Sequence, residues 1–303
     1  MKSCIQYKQV SLQDIDVSEN NYLITPFPEL KTNQTDFSLL HPPLLLAEGK
    51  QFRLLSGKAF LPPFVQDDAT LIYALVINKD KTVEQQQIFK MLLDYKLLHS
   101  PPSIIEQAIY FQKVIPLLSQ EEIAKQLSLL GYKKNHTIAG DLTTLLQLNV
   151  SVQRALHEGT LAPRVARMLF QFKDKDQKEI AVLIDTFHLG ASKQQKLVEN
   201  LLQLTKRSGT PCRELIKQWQ KTQKDTQGNG PQQAASLLQW LDECCHPRAR
   251  KAEEEFLAFC RQLNLPETMH IHHTKSFEDE QLTLCIHFSS KRQMVQQLEK
   301  LRG

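Results

Sequence analysis

Five polar side chains follow one another at Lys133, Lys134, Asn135, His136 and Thr137, directly ahead of an apolar series at Ala139, Leu142, Leu145, Leu146 and Leu148. A lysine ammonium suits a phosphate or a guanine, and a carboxamide suits an adenine edge, so this cluster at a helix start could read duplex DNA. A solvated polar turn has the same composition. Lys125 upstream and Arg164 and Arg167 downstream are further cations that could hold a phosphate backbone, and their signature would be an affinity that falls with salt.

Other groups offer less. His270, His272, His273 and His287 alternate along two short apolar runs, with Cys285 on the face of His287, yet exposed strand histidines account for them and no metal is expected. The six cysteines show no C-x-x-C spacing and read as reduced thiols. Asp14, Asp16, Asp67 and Asp68 read as strand-edge or turn residues rather than a nuclease metal cluster, so no catalytic residue is assigned. No serine-hydrolase elbow, zincin or P-loop motif is present.

The elements that must position these groups come from periodicity. Only 10 glycines in 303 residues favour helix over an all-β sandwich. The first 80 residues nevertheless hold short apolar or alternating runs at Tyr7 to Leu12, Pro43 to Leu46, Gln51 to Leu55 and Leu71 to Ile77, which predict a small α/β layer. From Thr82 the spacing becomes helical, with Ile88, Phe89, Leu92 and Leu93 on one face. Capping boxes at Ser103-Ile104-Ile105-Glu106 and Ser119-Gln120-Glu121-Glu122 predict two successive helix starts. The second leads into Ile123, Ala124 and Leu127, the first half of a helix-turn-helix whose second helix begins near Thr137; a plain packing hairpin would share the pattern.

A helix from Ser192 should end at Gly209, residues 222–232 read as a linker, and helix is expected around Leu237 to Leu263. Met269 to His273 and Leu282 to Phe288 predict an antiparallel hairpin around Glu278-Asp279-Glu280, followed by a helix that Ser289 or Ser290 could cap. A β-β-α unit of that size cannot bury its own face, so it is expected to dimerise. The net charge of +4, from 37 basic and 33 acidic residues, decides nothing as a total. Its distribution is more informative, because residues 101–210 carry 14 basic against 10 acidic groups and the rest is almost balanced. The longest apolar run, Leu71 to Ile77, is far short of a membrane span, and a cytoplasmic location is expected.

In order along the chain these blocks resemble the ParB partition-protein family. Ser119 to Leu127 is similar to its "tqEEIAkrL" helix, Leu145-Leu146-Gln147-Leu148 to its paired leucines, and Val152, Leu156, Gly159-Thr160-Leu161 and Ala166-Arg167-Met168-Leu169 to the block that follows. Ile105-Glu106-Gln107-Ala108 looks like the family's "i-E-e-A" helix start, and Phe288-Ser289-Ser290 leading to Met294, Leu298 and Leu301 like its dimerisation unit. The chain departs from the family in a longer turn between the two helices and in Thr144 where an arginine often stands.

The resemblance implies an α+β multidomain protein: a ParB-like α/β domain at 1–98, an all-helical DNA-binding domain at 99–210, a helical segment with a polar linker at 211–248, and a β-β-α dimerisation domain at 249–303. It implies a nucleoid-associated dimer on a centromere-like DNA site, served by a ParA-type ATPase. The family's nucleotide pocket for CTP with Mg²⁺ uses "G-E-R-R-x-x-A", and here Gly57-Lys58-Ala59-Phe60 keeps the glycine but neither arginine. The second pocket motif is hardly recognisable at Leu93 to Leu97. Losing both guanidinium forks removes most of the phosphate-binding charge, leaving Arg53, Gly57 and Lys58 as the nucleotide-binding candidates. The alternatives are a CTP-hydrolysing clamp with a divergent pocket, or a dimeric scaffold that no longer reads DNA.

Overall fold

The computed structural model describes residues 5–18, 21–27, 41–58, 61, 70–78, 84–99, 101–133, 135, 137–222, 230–273, 281–292, 294 and 295. The chain divides into two compact units, Met1–Val198 and Glu199–Gly303.

In the first unit, β1 (Ile5–Ser11), β2 (Ile15–Asp16), β3 (Leu44–Glu48), β4 (Gln51–Ser56) and β5 (Leu71–Asn78) form one mixed sheet. Their order is β1-β5-β3-β4-β2, with β3 central, parallel to β5 and antiparallel to β4. A central strand covered on both faces needs apolar side chains on both, which is why Leu44, Leu45 and Leu46 run on without alternation. Leu45, Leu54, Ile72, Ala74 and Val76 share a core with Val10, Leu12 and Ile15. The two-residue β2, parallel to β4, is too short to leave a periodic signal in the sequence.

Helix α1 (Gln85–His99) follows the sheet, burying Ile88, Phe89, Leu92 and Leu93. Then come α2 (Ile104–Val114), α3 (Gln120–Leu129), α4 (Thr137–Thr144), α5 (Val150–His157), α6 (Pro163–Met168), α7 (Asp174–Thr186) and α8 (Ala191–Ser208). Both expected capping boxes form, with Ser103 Oγ accepting from Glu106 N–H and Ser119 Oγ from Glu122 N–H, each glutamate returning the bond to its cap.

One buried polar knot joins the strand-rich part to the helices. Lys96 Nζ, at the end of α1, lies 2.8 Å from Glu106 Oε1 at the start of α2, and both side chains are almost fully buried. Thr25 Oγ1 donates to the same carboxylate oxygen at 2.6 Å and accepts from Lys96 at 3.2 Å. Ser103 N–H donates to the other oxygen at 2.8 Å. Burial by itself would raise the Glu106 pKa, but the Lys96 charge together with hydrogen bonds from Lys96, Thr25 and Ser103 outweighs it and holds the carboxyl below its ordinary value.

In the second unit, α8 is followed by α9 (Cys212–Thr222) and α10 (Gly230–Cys245); Leu201, Leu204, Leu215, Trp219, Leu237 and Leu241 are buried, and Arg207 of α8 donates to the Cys245 carbonyl of α10 at 3.0 Å. Residues 223–229, most of the expected linker, lie outside the described residues, and its last part is already helix: Pro231 stands second in α10, where a missing N–H costs nothing. The single helical stretch expected to Leu263 is two helices. His246 leaves helical geometry and Pro247 opens α11 (Pro247–Gln262), because a proline ring cannot continue the preceding turn. The hairpin forms as β6 (Met269–His273) and β7 (Leu282–Ile286), antiparallel, while its Glu278 turn, Leu298 and Leu301 lie outside the described residues.

Replacing Lys96 with Met should lower stability in urea by about 3–5 kcal/mol, since it strands a buried carboxylate. Lys96→Met with Glu106→Gln should recover much of that loss. The folded pKa of Glu106 is depressed, so the carboxyl's contribution is complete above its unfolded value, about 4.3, and drains away as pH falls through the lower folded value. A pH series of urea midpoints checks both statements; equal loss in single and double variants would contradict the first.

Candidate nucleic-acid interface

Helix α3 ends in a closed turn. Leu130 is its last half-helical residue, Gly131 takes φ +85°, Gly131 N–H donates to Ser128 O at 3.1 Å and Tyr132 N–H to Leu127 O at 3.0 Å. This is the Schellman pattern, and its positive φ is where glycine is least strained. Tyr132 Oη then donates to Gln107 Oε1 on α2 at 2.8 Å, which pins the turn to the platform helix. On the other side Tyr110 Oη of α2 donates to Gln126 Oε1 of α3 at 2.8 Å. Ala139 and Leu142 bury one face of α4 in the packing with α2.

Asn135 starts α4. Its Oδ1 accepts from Thr137 N–H at 3.1 Å and from Thr137 Oγ1 at 2.8 Å, so the carboxamide oxygen caps the helix. Lys133 and Thr137 are exposed beside it, while Lys134 and His136 lie outside the described residues. Arg167, exposed on α6, is close enough to Tyr132 for its charge to oppose the rise that burial causes in the phenol's pKa. Arg164 is exposed in the first turn of α6. Lys125 is placed differently: it pairs with Glu121 at 3.0 Å and lines a cavity of about 300 Å³ with Lys90, Asp94 and Gln126, between α1 and α3. In the same cavity Glu122 is held down to about 2, by the Lys90 hydrogen bond first and then by bonds from Ser119.

The nucleotide candidates are not assembled around a phosphate. Arg53 lies 2.7 Å from Glu48 across the β3–β4 hairpin and feels the charge of Asp16 on the neighbouring strand. Gly57 has φ +90°, and a Cβ there would come within 3.0 Å of Pro43 Cα and Tyr95 Oη, so packing alone requires the glycine. Lys58 is exposed, and Ala59 and Phe60 lie outside the described residues. In the second unit His270 and His287 meet edge to face at 5.8 Å, but His273 turns to Glu253 at 3.0 Å and to the Phe256 ring.

Two residues of this surface carry no signal in the polar cluster ahead of α4. Gly140 and Asp141 lie inside α4 itself, exposed, flanked by buried Ala139 and Leu142. Helical periodicity would have placed them outward once the buried face was fixed.

Two helices linked by a glycine turn, the second with one face buried and the other open, define a helix-turn-helix protein. The ParB HTH domain family matches residues 102–203, so this segment is a ParB HTH domain. Nucleoid occlusion proteins are distant relatives. That of Oceanobacillus iheyensis is 35% identical over 95 residues, 31% of this chain and 31% of that protein. That of Halalkalibacterium halodurans is 32% identical over 127 residues, 41% of this chain and 43% of its own length. The matches thus span between about a third and two-fifths of those proteins. The likeness to the ParB HTH domain family is thus carried by residues 102–203, the helix-turn-helix part of the chain.

Asn135→Ala should destabilise the fold by about 1 kcal/mol and weaken DNA binding, whereas Asn135→Ser, which can still cap, should retain both. Denaturation and anisotropy measured on the two variants check this; loss of binding in Asn135→Ser at unchanged stability would mean that the carboxamide reads a base.

Proposed function

We propose that this protein binds a specific double-stranded DNA site as a dimer and serves in chromosome or plasmid partition, or in a nucleoid-associated role like that named for its relatives. The observation that carries the reading is the helix pair α3 and α4 inside the ParB HTH match, with Lys133, Arg164 and Arg167 all exposed. DNA contact is assigned to Lys125, Lys133, Lys134, Asn135, His136, Thr137, Arg164 and Arg167. The central charge excess supports a steered, salt-dependent encounter.

Dimerisation is assigned to the C-terminal part, 249–303. In its favour, Leu282, Leu284, Met294 and Val295 are all exposed, an apolar surface that a second copy would cover. A cytoplasmic, nucleoid-associated location fits a chain in which, among the described residues, no helix is long and apolar enough to cross a membrane. A ParA-type ATPase is the partner that the family resemblance suggests. The nucleotide site is read as degenerate, because Arg53 is already engaged by Glu48 and packing accounts for Gly57. Domain limits at 98, 210 and 248 belong to this proposal as well.

Gel shifts with genomic fragments at rising salt test the main reading. Lys133→Ala and Arg167→Ala should each weaken binding to all sequences alike and reduce the salt slope by about 1. Absence of any shift at low salt would reject it. Calorimetry with CTP and Mg²⁺, with and without DNA, should give no binding heat; saturable heat would favour the clamp alternative.

A further inference from the structure

The outward face of α4 is chemically sparse. Thr137, Gly140, Asp141 and Thr144 occupy it at spacings of three and four residues, and all four are exposed. The threonine hydroxyls around it are engaged within the segment: Thr137 donates to Asn135 Oδ1 at 2.8 Å, Thr143 to Gly140 O at 2.7 Å and Thr144 to Asp141 O at 2.7 Å. Asp141 is different. Its carboxylate makes no ion pair among the described residues, and its helical neighbours at three and four residues, Thr137, Ile138, Thr144 and Leu145, offer no cation. The first turn of α4 contains no acidic residue, so the favourable end of the helix dipole does not account for Asp141 either.

A carboxylate on a helix that faces DNA repels phosphates unless it accepts a hydrogen bond from a base. In the major groove cytosine offers its N4 amino group without a neighbouring acceptor, while adenine sets N7 beside its amino group and guanine presents acceptors. Gly140 adds an independent observation. It is a poor helix former in a helix interior, and a Cβ there would meet nothing within 4 Å, so packing among the described residues does not call for the missing side chain. A ligand seated closely against the backbone of α4 would gain from its absence.

We infer that Asp141 is the base-reading side chain of α4, accepting from a cytosine amino group, and that Gly140 lets the helix seat closely against the groove floor. This rests on the DNA-binding reading above and adds what the site selects.

Selection of the full-length protein against a randomised duplex library, followed by sequencing, tests it. Wild type should enrich sites with a cytosine at one position of each half-site. Asp141→Ala should relax that position alone, cutting discrimination there about tenfold, and should raise affinity for a non-cognate duplex. Asp141→Asn should move the preference at that position towards adenine. Gly140→Ala should raise Tm by about 2 °C yet weaken binding to the enriched site, a divergence that a merely structural glycine would not produce. Circular dichroism confirms the fold of each variant. If wild type enriches a site and Asp141→Ala selects the same sequences with the same ranking, the inference is overturned while DNA binding stands. If wild type enriches no sequence, specific DNA binding itself fails and the inference falls with it.

Discussion

The Lys96–Glu106 pair is the interaction on which the arrangement of the first unit depends. Two charges removed from water cost several kcal/mol each unless their remaining hydrogen-bonding capacity is met, and here Thr25 and the Ser103 amide supply it. The carboxylate cannot satisfy all of these partners unless α1, α2 and the segment before the sheet's third strand stand in one relation. Lys113 fastens that segment further by donating to the carbonyls of Asn21 and Leu23. Phe27 completes the attachment, with the His157 ring at 5.5 Å and the Arg154 guanidinium 5.1 Å above it. Ser103, the cap of α2, lies 2.8 Å from His157 Nδ1 on α5, so the same knot reaches a third helix.

Everything that faces outward from α4 is positioned from α2. Glu106 fixes its start, Tyr110 and Gln107 hold α3 and the turn by hydroxyl bonds, and the apolar face of α4 packs against it. The cations that follow are on short, pinned stretches rather than long loops, which favours a defined register on a ligand over diffuse attraction. The strand-rich part is therefore tied to the helix-turn-helix through charge and hydrogen bonds as well as through packing.

Much of this was legible in the sequence where a local rule decides it. The capping boxes, the four longer strands, the buried Ile123 and Leu127 and the hairpin at the C-terminal end all follow from spacing and side-chain type. What escaped depends on residues far apart in the chain. Lys96 stands at a core position of α1, and only its partners ten and seventy-one residues away explain why a lysine is tolerated there. Asn135 was legible as polar but not as a cap, since the same carboxamide could equally have read a base. Arg53 carried the right charge for a phosphate, and only strand pairing shows that it lies against Glu48, with Asp16 beside it on the neighbouring strand. The break at Pro247 was visible as a residue type, but the apolar spacing on both sides masked it.

The central claim is that DNA meets the protein on the turn and outward face formed by residues 131–144 together with the start of α6. Amide hydrogen exchange of the full-length protein, with and without its selected duplex, tests this most directly. The account predicts slowed exchange at the N-terminal end of α4, in the Gly131 to Asn135 turn and around Arg164 to Arg167. Protection confined to the N-terminal sheet or to the second unit, with α4 unchanged, would contradict it.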